Sequence, residues 1–225
     1  MEHFIFNNVN SNTMGIVVKK MPPIIAPKRD ITTIKVDGRN GNLHIDNGTY
    51  EAYNVSIECV ITDLTKINDI KSWLKGIGTI EFSTLPNVVY DCVVKNQIDF
   101  EKYLNVLREF PLQLEVNPIG LGTLKTVTKT TGGTFTVGGT IGTSPILEVK
   151  GTGNATITLN GTSFTLNDLD TTAYVVDCDL MNVTKGTNAN DKFVGSFPTL
   201  IIGTNTISWV GTVSEIKIKY KEGWL

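Results

Sequence analysis

His3 and His44 are the two imidazoles that a proton-transfer or zinc site in this sequence could use. A Ser-His-Asp arrangement would need one of them, yet no G-x-S-x-G elbow occurs to present a serine. Zinc would need more His or Cys ligands than the chain offers. The three cysteines, Cys59, Cys92 and Cys178, are widely spaced with no Cys-x-x-Cys, which indicates neither a zinc ribbon nor a disulfide framework. Cys59 and Cys92 fall at apolar positions of alternating segments, where a thiol acts as a small hydrophobe. Carboxylates cluster in "NDLD" (167–170) and "DCD" (177–179), in the manner of Asp serving its own turn. Glycoside hydrolysis needs two acids across a cleft, for which Glu148 and Glu215 would be the residues to test. The expectation is that the chain is not an enzyme and holds no cofactor or metal.

One short stretch raises the question of anion binding. "IKVDGRNGNL" (34–43) places Asp37-Gly38 and Asn40-Gly41 around Arg39. Gly-rich loops cradle phosphate when they open a helix, but here "LHIDNGTY" follows, an alternating segment with another Asn-Gly turn. The stretch therefore reads as a hairpin tip. The net charge of −2 supplies no basic field, so nucleic acid is not an expected partner. Neither is membrane insertion, because no apolar run approaches a bilayer span. "MEHFIFNNVNSN" has no signal-peptide pattern, so synthesis in the cytoplasm is expected.

The elements that position these residues follow from periodicity. Tyr53, Val55, Ile57, Cys59 and Ile61 alternate with Asn54, Ser56 and Glu58, as a half-buried strand requires. Val88, Tyr90, Cys92 and Val94 repeat the pattern, as do Leu112, Leu114 and Val116. Between the first two strands, "DLTKINDIKSWLKG" (63–76) predicts a helix. Asp63 is its N-cap, Leu64, Ile67, Ile70, Trp73 and Leu74 form its apolar stripe, and Gly76 closes it. "FEKYLNVLREF" (100–110) permits a helix through Phe100, Leu104 and Leu107, although Pro111 and the strand pattern after it oppose a long one.

Composition shifts near residue 118, and "NPIGLG" (117–122) marks a boundary between a domain at 1–120 and another at 121–225. The second reads as β throughout, with Asn160-Gly161 a hairpin signal and many short strands suggesting a jelly-roll or related sandwich. Its Tyr174, Trp209 and Trp224 are the candidate glycan platform, against the plainer reading that strand aromatics fill a core. In the first domain, "MPPIIAP" (21–27) is apolar but proline-interrupted. It must be covered either by its own domain or by a neighbouring subunit, which makes Met21, Pro22, Pro23, Ile24 and Ile25 candidates for an interface.

Taken in order, several segments resemble the distal tail protein (Dit) family of long-tailed, non-contractile phages and prophages. They are "FIFNNVNSNTMGIVV" (4–18), "IKVDGRNGNL", the strand from Tyr53, the helix with Trp73-Leu74 and "FPLQLEVNP". In the second domain "SPILEVKGTGNATITLNG", "GSFPTLIIGTNTISW" and "IKIKYKEGWL" continue the resemblance. It implies a mainly β fold: a ring-forming, β-sandwich-like domain with one α-helix, followed by a galectin-like or carbohydrate-module-like jelly-roll sandwich. It also implies a structural hub at the virion's tail tip, a homo-hexameric ring joining tail tube to baseplate or tail fibre. Some family members hold receptor-binding proteins or touch host saccharides, so host recognition through the second domain is the alternative expectation. On this resemblance Gly38, Arg39 and Gly41 shape a ring-domain turn, and Arg39 contacts a neighbour.

Overall fold

The computed structural model describes residues 2–95, 101–104 and 107–225, with backbone alone for 101–104 and 107–108. The chain divides into two compact units, Met1–Gly120 with Leu225, and Leu121–Trp224. Among the described residues the protein is mainly β, with one short α-helix, in the first unit.

In chain order the first unit comprises β1 (Phe4–Phe6), β2 (Val9–Asn10), β3 (Ile16–Lys20), β4 (Arg29–Lys35), β5 (Asn42–Tyr50) and β6 (Tyr53–Ile61). It continues with α1 (Ile67–Trp73), β7 (Ile77–Phe82), β8 (Val89–Val94), β9 (Glu101–Leu104) and β10 (Leu107–Val116). The longest ladder joins β6 to β10, antiparallel from Ile61↔Arg108 to Tyr53↔Val116. β3 lines the other edge of β6, and the far end of β10 meets β8 at Leu114↔Val94. β8 then pairs with β7, and β7 with β1. Val55, Ile57, Cys59 and Ile61 are buried while Asn54, Ser56 and Glu58 are exposed, as alternation requires.

The predicted helix is shorter than its apolar stripe. Leu64–Lys66 form a 3-10 turn, and α1 proper covers seven residues. The Asp63 carboxylate accepts from the Thr65 N–H at 3.1 Å, so it caps the 3-10 turn, whereas α1 itself has no side-chain cap. The helix ends at Trp73, before Gly76. Trp73 stacks on Phe4 at 5.9 Å between centroids and donates its indole N–H to the Phe6 carbonyl at 2.9 Å. Ile70 and Leu74 complete the contact with the sheet core. Residues 101–104 and 107–110 are strand, which overturns the helical option for that segment; Phe100 lies outside the described residues. The pairing with β6 decides it, since Phe110 and Leu112 sit opposite Cys59 and Ile57 and are buried with them.

The second unit comprises β11 (Gly120–Lys129), β12 (Gly133–Val137), β13 (Ile146–Leu159), β14 (Thr162–Leu169), β15 (Tyr174–Asp177), β16 (Asn182–Lys185), β17 (Thr187–Asn188), β18 (Phe193–Gly195) and β19 (Gly203–Trp224). Two strands belong to both layers of a sandwich. The first half of β13 pairs with β15 and with the last part of β19; its second half pairs with β14 and with the first part of β19. The register shifts between Lys150/Gly151 and Thr152/Thr156 mark where both strands turn the corner. Gly211 allows that bend: its φ is +109°, and a Cβ there would lie 2.4 Å from the Asn154 carbonyl oxygen. Both halves feed one core, which includes Leu147, Ile157, Phe164, Val176, Ile207 and Ile218. The Asn160-Gly161 turn joins β13 to β14 with φ of +51° and +84°, the left-handed pair that a two-residue hairpin requires.

Asn205 is the buried polar anchor of this unit. Its amide donates to the carbonyls of Ile201 (2.8 Å) and Gly203 (3.0 Å), and its oxygen accepts from the Ile201 N–H (3.0 Å) and the Asn160 amide (2.7 Å). Asn205→Ala should strand several of these groups away from water and destabilise the protein by about 3 kcal/mol. Urea denaturation will show this as a lower midpoint at unchanged slope.

Candidate functional site

β4 and β5 form a sheet of their own, paired from Arg29↔Tyr50 to Lys35↔Asn42. Their polar face is locked near the base. The Arg29 guanidinium Nε reaches both oxygens of Asp46 (2.9 and 3.0 Å) and lies over the Tyr50 ring at 4.7 Å. Lys28 pairs with Glu51 at 2.8 Å, and Thr33 bonds His44 Nδ1 at 3.1 Å. The Arg29 hydrogen bond, helped by the Gly48 N–H, holds the Asp46 carboxyl below its ordinary range, and Arg29 is raised in turn.

The other face is apolar and open. Ile34 pairs with Leu43, and Ile45 with Thr32, so their side chains share that face, with Val36 following at the tip. Ile34, Val36, Leu43 and Ile45 are 37–44% exposed. None joins either core cluster. Sequence reading found the turn but not this stripe; the signal was the alternation of Ile34, Leu43 and Ile45 in two strands too short to cover each other.

At the tip, Gly38 and Gly41 have φ of +79° and +82°, and no atom lies within 4 Å of where a Cβ would sit on either. They provide left-handed backbone and approach nothing, so this is a hairpin turn without a phosphate cradle. The Arg39 N–H donates to the Val36 carbonyl at 3.3 Å, while its exposed guanidinium has no partner among the described residues. Of the neighbouring apolar segment, Met21 is buried in the first unit's own core. Pro22 is half-buried; Pro23, Ile24 and Ile25 are exposed, Ile24 to 73%.

The candidate glycan aromatics do not come together. Tyr174 is buried at 2% exposure with Lys185 Nζ 4.7 Å above its ring, and Trp209 packs partly buried against the sandwich core. Tyr174 faces the core, whereas Trp209 keeps part of its surface. Trp224 keeps 37% of its surface. Glu148 is tied to Lys219, and Glu215 lies near Lys150 (3.8 Å) and Lys217 (3.7 Å), an arrangement of solvated ion pairs. Among the described residues no three His, Cys, Asp or Glu side chains gather to hold a metal. Cys59, Cys92 and Cys178 are free and buried, and burial pushes each thiol up to about 12.

No protein-family model and no curated protein matches the chain by sequence. Comparison with solved structures gives a correspondence over the full length. The chain superposes on Dit (gp 19.1) of phage SPP1 with a TM-score of 0.82, covering 100% of both chains at 12% identity. The fold is that of a distal tail protein. SPP1 Dit is described as a paradigm of the hub adsorption apparatus in phages that infect Gram-positive bacteria. At 12% identity the likeness to SPP1 Dit is one of fold.

The Arg29–Asp46 pair can be tested within this Dit-like chain. Because the folded Asp46 carboxyl titrates below its usual 3.8, the pair supports the hairpin above that pH and its support disappears as pH falls through the lower folded value. An NMR titration of the Asp46 carboxyl carbon should show a midpoint below 3.8 that returns toward it in Arg29→Ala.

Proposed function

We propose that this protein is the structural hub of a long, non-contractile phage tail tip, a hexameric ring joining the tail tube to the baseplate or tail fibre. The observation that carries this reading is the correspondence of the entire chain, both units included, with the fold of a phage adsorption hub. Its partners would be further copies of itself, the tail tube protein and a tail-associated or fibre protein, with its place in the virion at the tail tip.

The hairpin supports self-association. A cyclic ring needs two different complementary patches on each subunit, and an amphipathic two-stranded sheet is marginal until something covers its apolar face. Ile34, Val36, Leu43 and Ile45, with Ile24 and Ile25 nearby in sequence, are the residues that a neighbouring subunit would bury. Arg39 would add direction, since a guanidinium can make two parallel bonds to a carboxylate. Host recognition through 121–225 has less to rest on, because Tyr174 is buried and Trp209 packs partly against the sandwich core.

Light scattering across a concentration series tests the ring. A mass near that of six 24.6 kDa chains, about 148 kDa, is expected; a chain that stays monomeric at every concentration would count against self-assembly. Ile34→Asp combined with Leu43→Asp should lower the assembled mass without altering the circular dichroism spectrum. Arg39→Ala should weaken assembly to a smaller degree. An assembled mass unchanged in all of these would move the interface away from the hairpin.

A further inference from the structure

The sequence contains three Asn-Gly dipeptides, at Asn40, Asn47 and Asn160. Each could undergo the same reaction. The backbone nitrogen of the glycine loses its proton and attacks the side-chain carbonyl carbon of the asparagine. A nitrogen–Cγ bond forms, the Cγ–Nδ2 bond breaks and ammonia leaves a five-membered succinimide. Water then opens the ring at either carbonyl, giving aspartate or isoaspartate. Glycine favours the attack because no Cβ hinders its nitrogen or restricts its backbone. The reaction requires a free side-chain amide, a free glycine N–H and a backbone able to bring them together.

The fold denies these conditions at two of the sites. Asn160 has its amide donated to the Thr199 carbonyl (3.1 Å) and Asn205 (2.7 Å), while its oxygen accepts from the Thr206 N–H (3.0 Å). Asn47 exchanges a hydrogen bond with the Thr32 hydroxyl (2.9 Å), and the attacking nitrogen, Gly48 N, is occupied by Asp46 Oδ1 at 2.8 Å. Asn40 differs in its hydrogen bonding. It is exposed, lies outside any strand, and its side chain and the Gly41 N–H have no hydrogen-bond partner among the described residues. Gly41 has open space around it, as Gly48 and Gly161 also do, so the distinction between the sites lies in their hydrogen bonds.

We propose that Asn40 is a site of spontaneous, fold-selected deamidation, while the chemically identical dipeptides at Asn47 and Asn160 are protected. The product places a carboxylate next to Arg39, turning an uncharged position at the hairpin tip into an anionic one. This assignment is independent of the ring reading.

The test is to incubate the purified chain at mildly alkaline pH and 37 °C and follow all three peptides by mass spectrometry. A chemically denatured sample serves as the reference. In the folded protein Asn40 should convert at close to its denatured rate and faster as pH rises. Asn47 and Asn160 should be slowed roughly tenfold or more, as expected when breaking a hydrogen bond precedes reaction. The converted protein should also elute later from an anion exchanger. Folded-state conversion of Asn47 or Asn160 as fast as Asn40, or an Asn40 that stays intact while the denatured chain reacts, would overturn the assignment.

Discussion

The antiparallel pairing of β6 with β10 places Val55, Ile57 and Cys59 directly opposite Leu114, Leu112 and Phe110, all on one buried face. That register organises the whole first unit. Ile16 and Val18 of β3 extend the buried face on one side, Cys92 of β8 extends it on the other, and Ile70 and Leu74 bring the helix onto it. A slip of one residue between β6 and β10 would turn the apolar side chains of one of the two strands toward water and bring Glu58 or Glu109 inward. The ladder therefore has a single acceptable alignment, and the remaining strands must take their positions from it.

Among the described strands of this unit, the hairpin of β4 and β5 forms a sheet of its own and escapes this rule. It is inserted between β3 and β6, the two strands that pair, so the chain leaves the sheet, makes the hairpin and returns, with a register shift between Val18 and Lys20 at the end of β3. Such an insertion is free to carry side chains that the core does not need. Its apolar stripe is not required by the core of the first unit. The ion pairs at its base, Lys28–Glu51 and Arg29–Asp46, tie the two strands to each other.

How much could be read from the sequence depended on whether burial was one-sided. The strands at 53–61, 88–94 and 112–116 were legible because each has one dry face and one wet face. The helix was legible as a stripe, but its length was not: α1 is held by Trp73, Phe4 and Phe6, contacts between residues far apart in the chain. In 100–110, three- and four-residue apolar spacing imitated a helix in a segment whose partner, β6, lies some fifty residues earlier. The proline-interrupted 21–27 segment left open whether its own domain or a neighbour covers it; Met21 folds back into the core while Ile24 does not. The aromatics Tyr174 and Trp209 illustrate the same limit, since alternation names two faces without saying which one is inside. The open side of Ile34, Leu43 and Ile45 was hidden for that reason too.

The two layers of the second unit are not separable pieces, because β13 and β19 cross from one to the other side by side. This has a mechanical meaning. β13 and β19 remain hydrogen-bonded, antiparallel, from Ile146↔Lys219 to Leu159↔Ile207, interrupted only at the corner. Tension drawn along β19 from its Trp224 end would load those bonds in shear, many at once, instead of opening them one after another. A sandwich stitched in this way resists traction as a single body, a property suited to any part of a machine that must hold while something pulls on it.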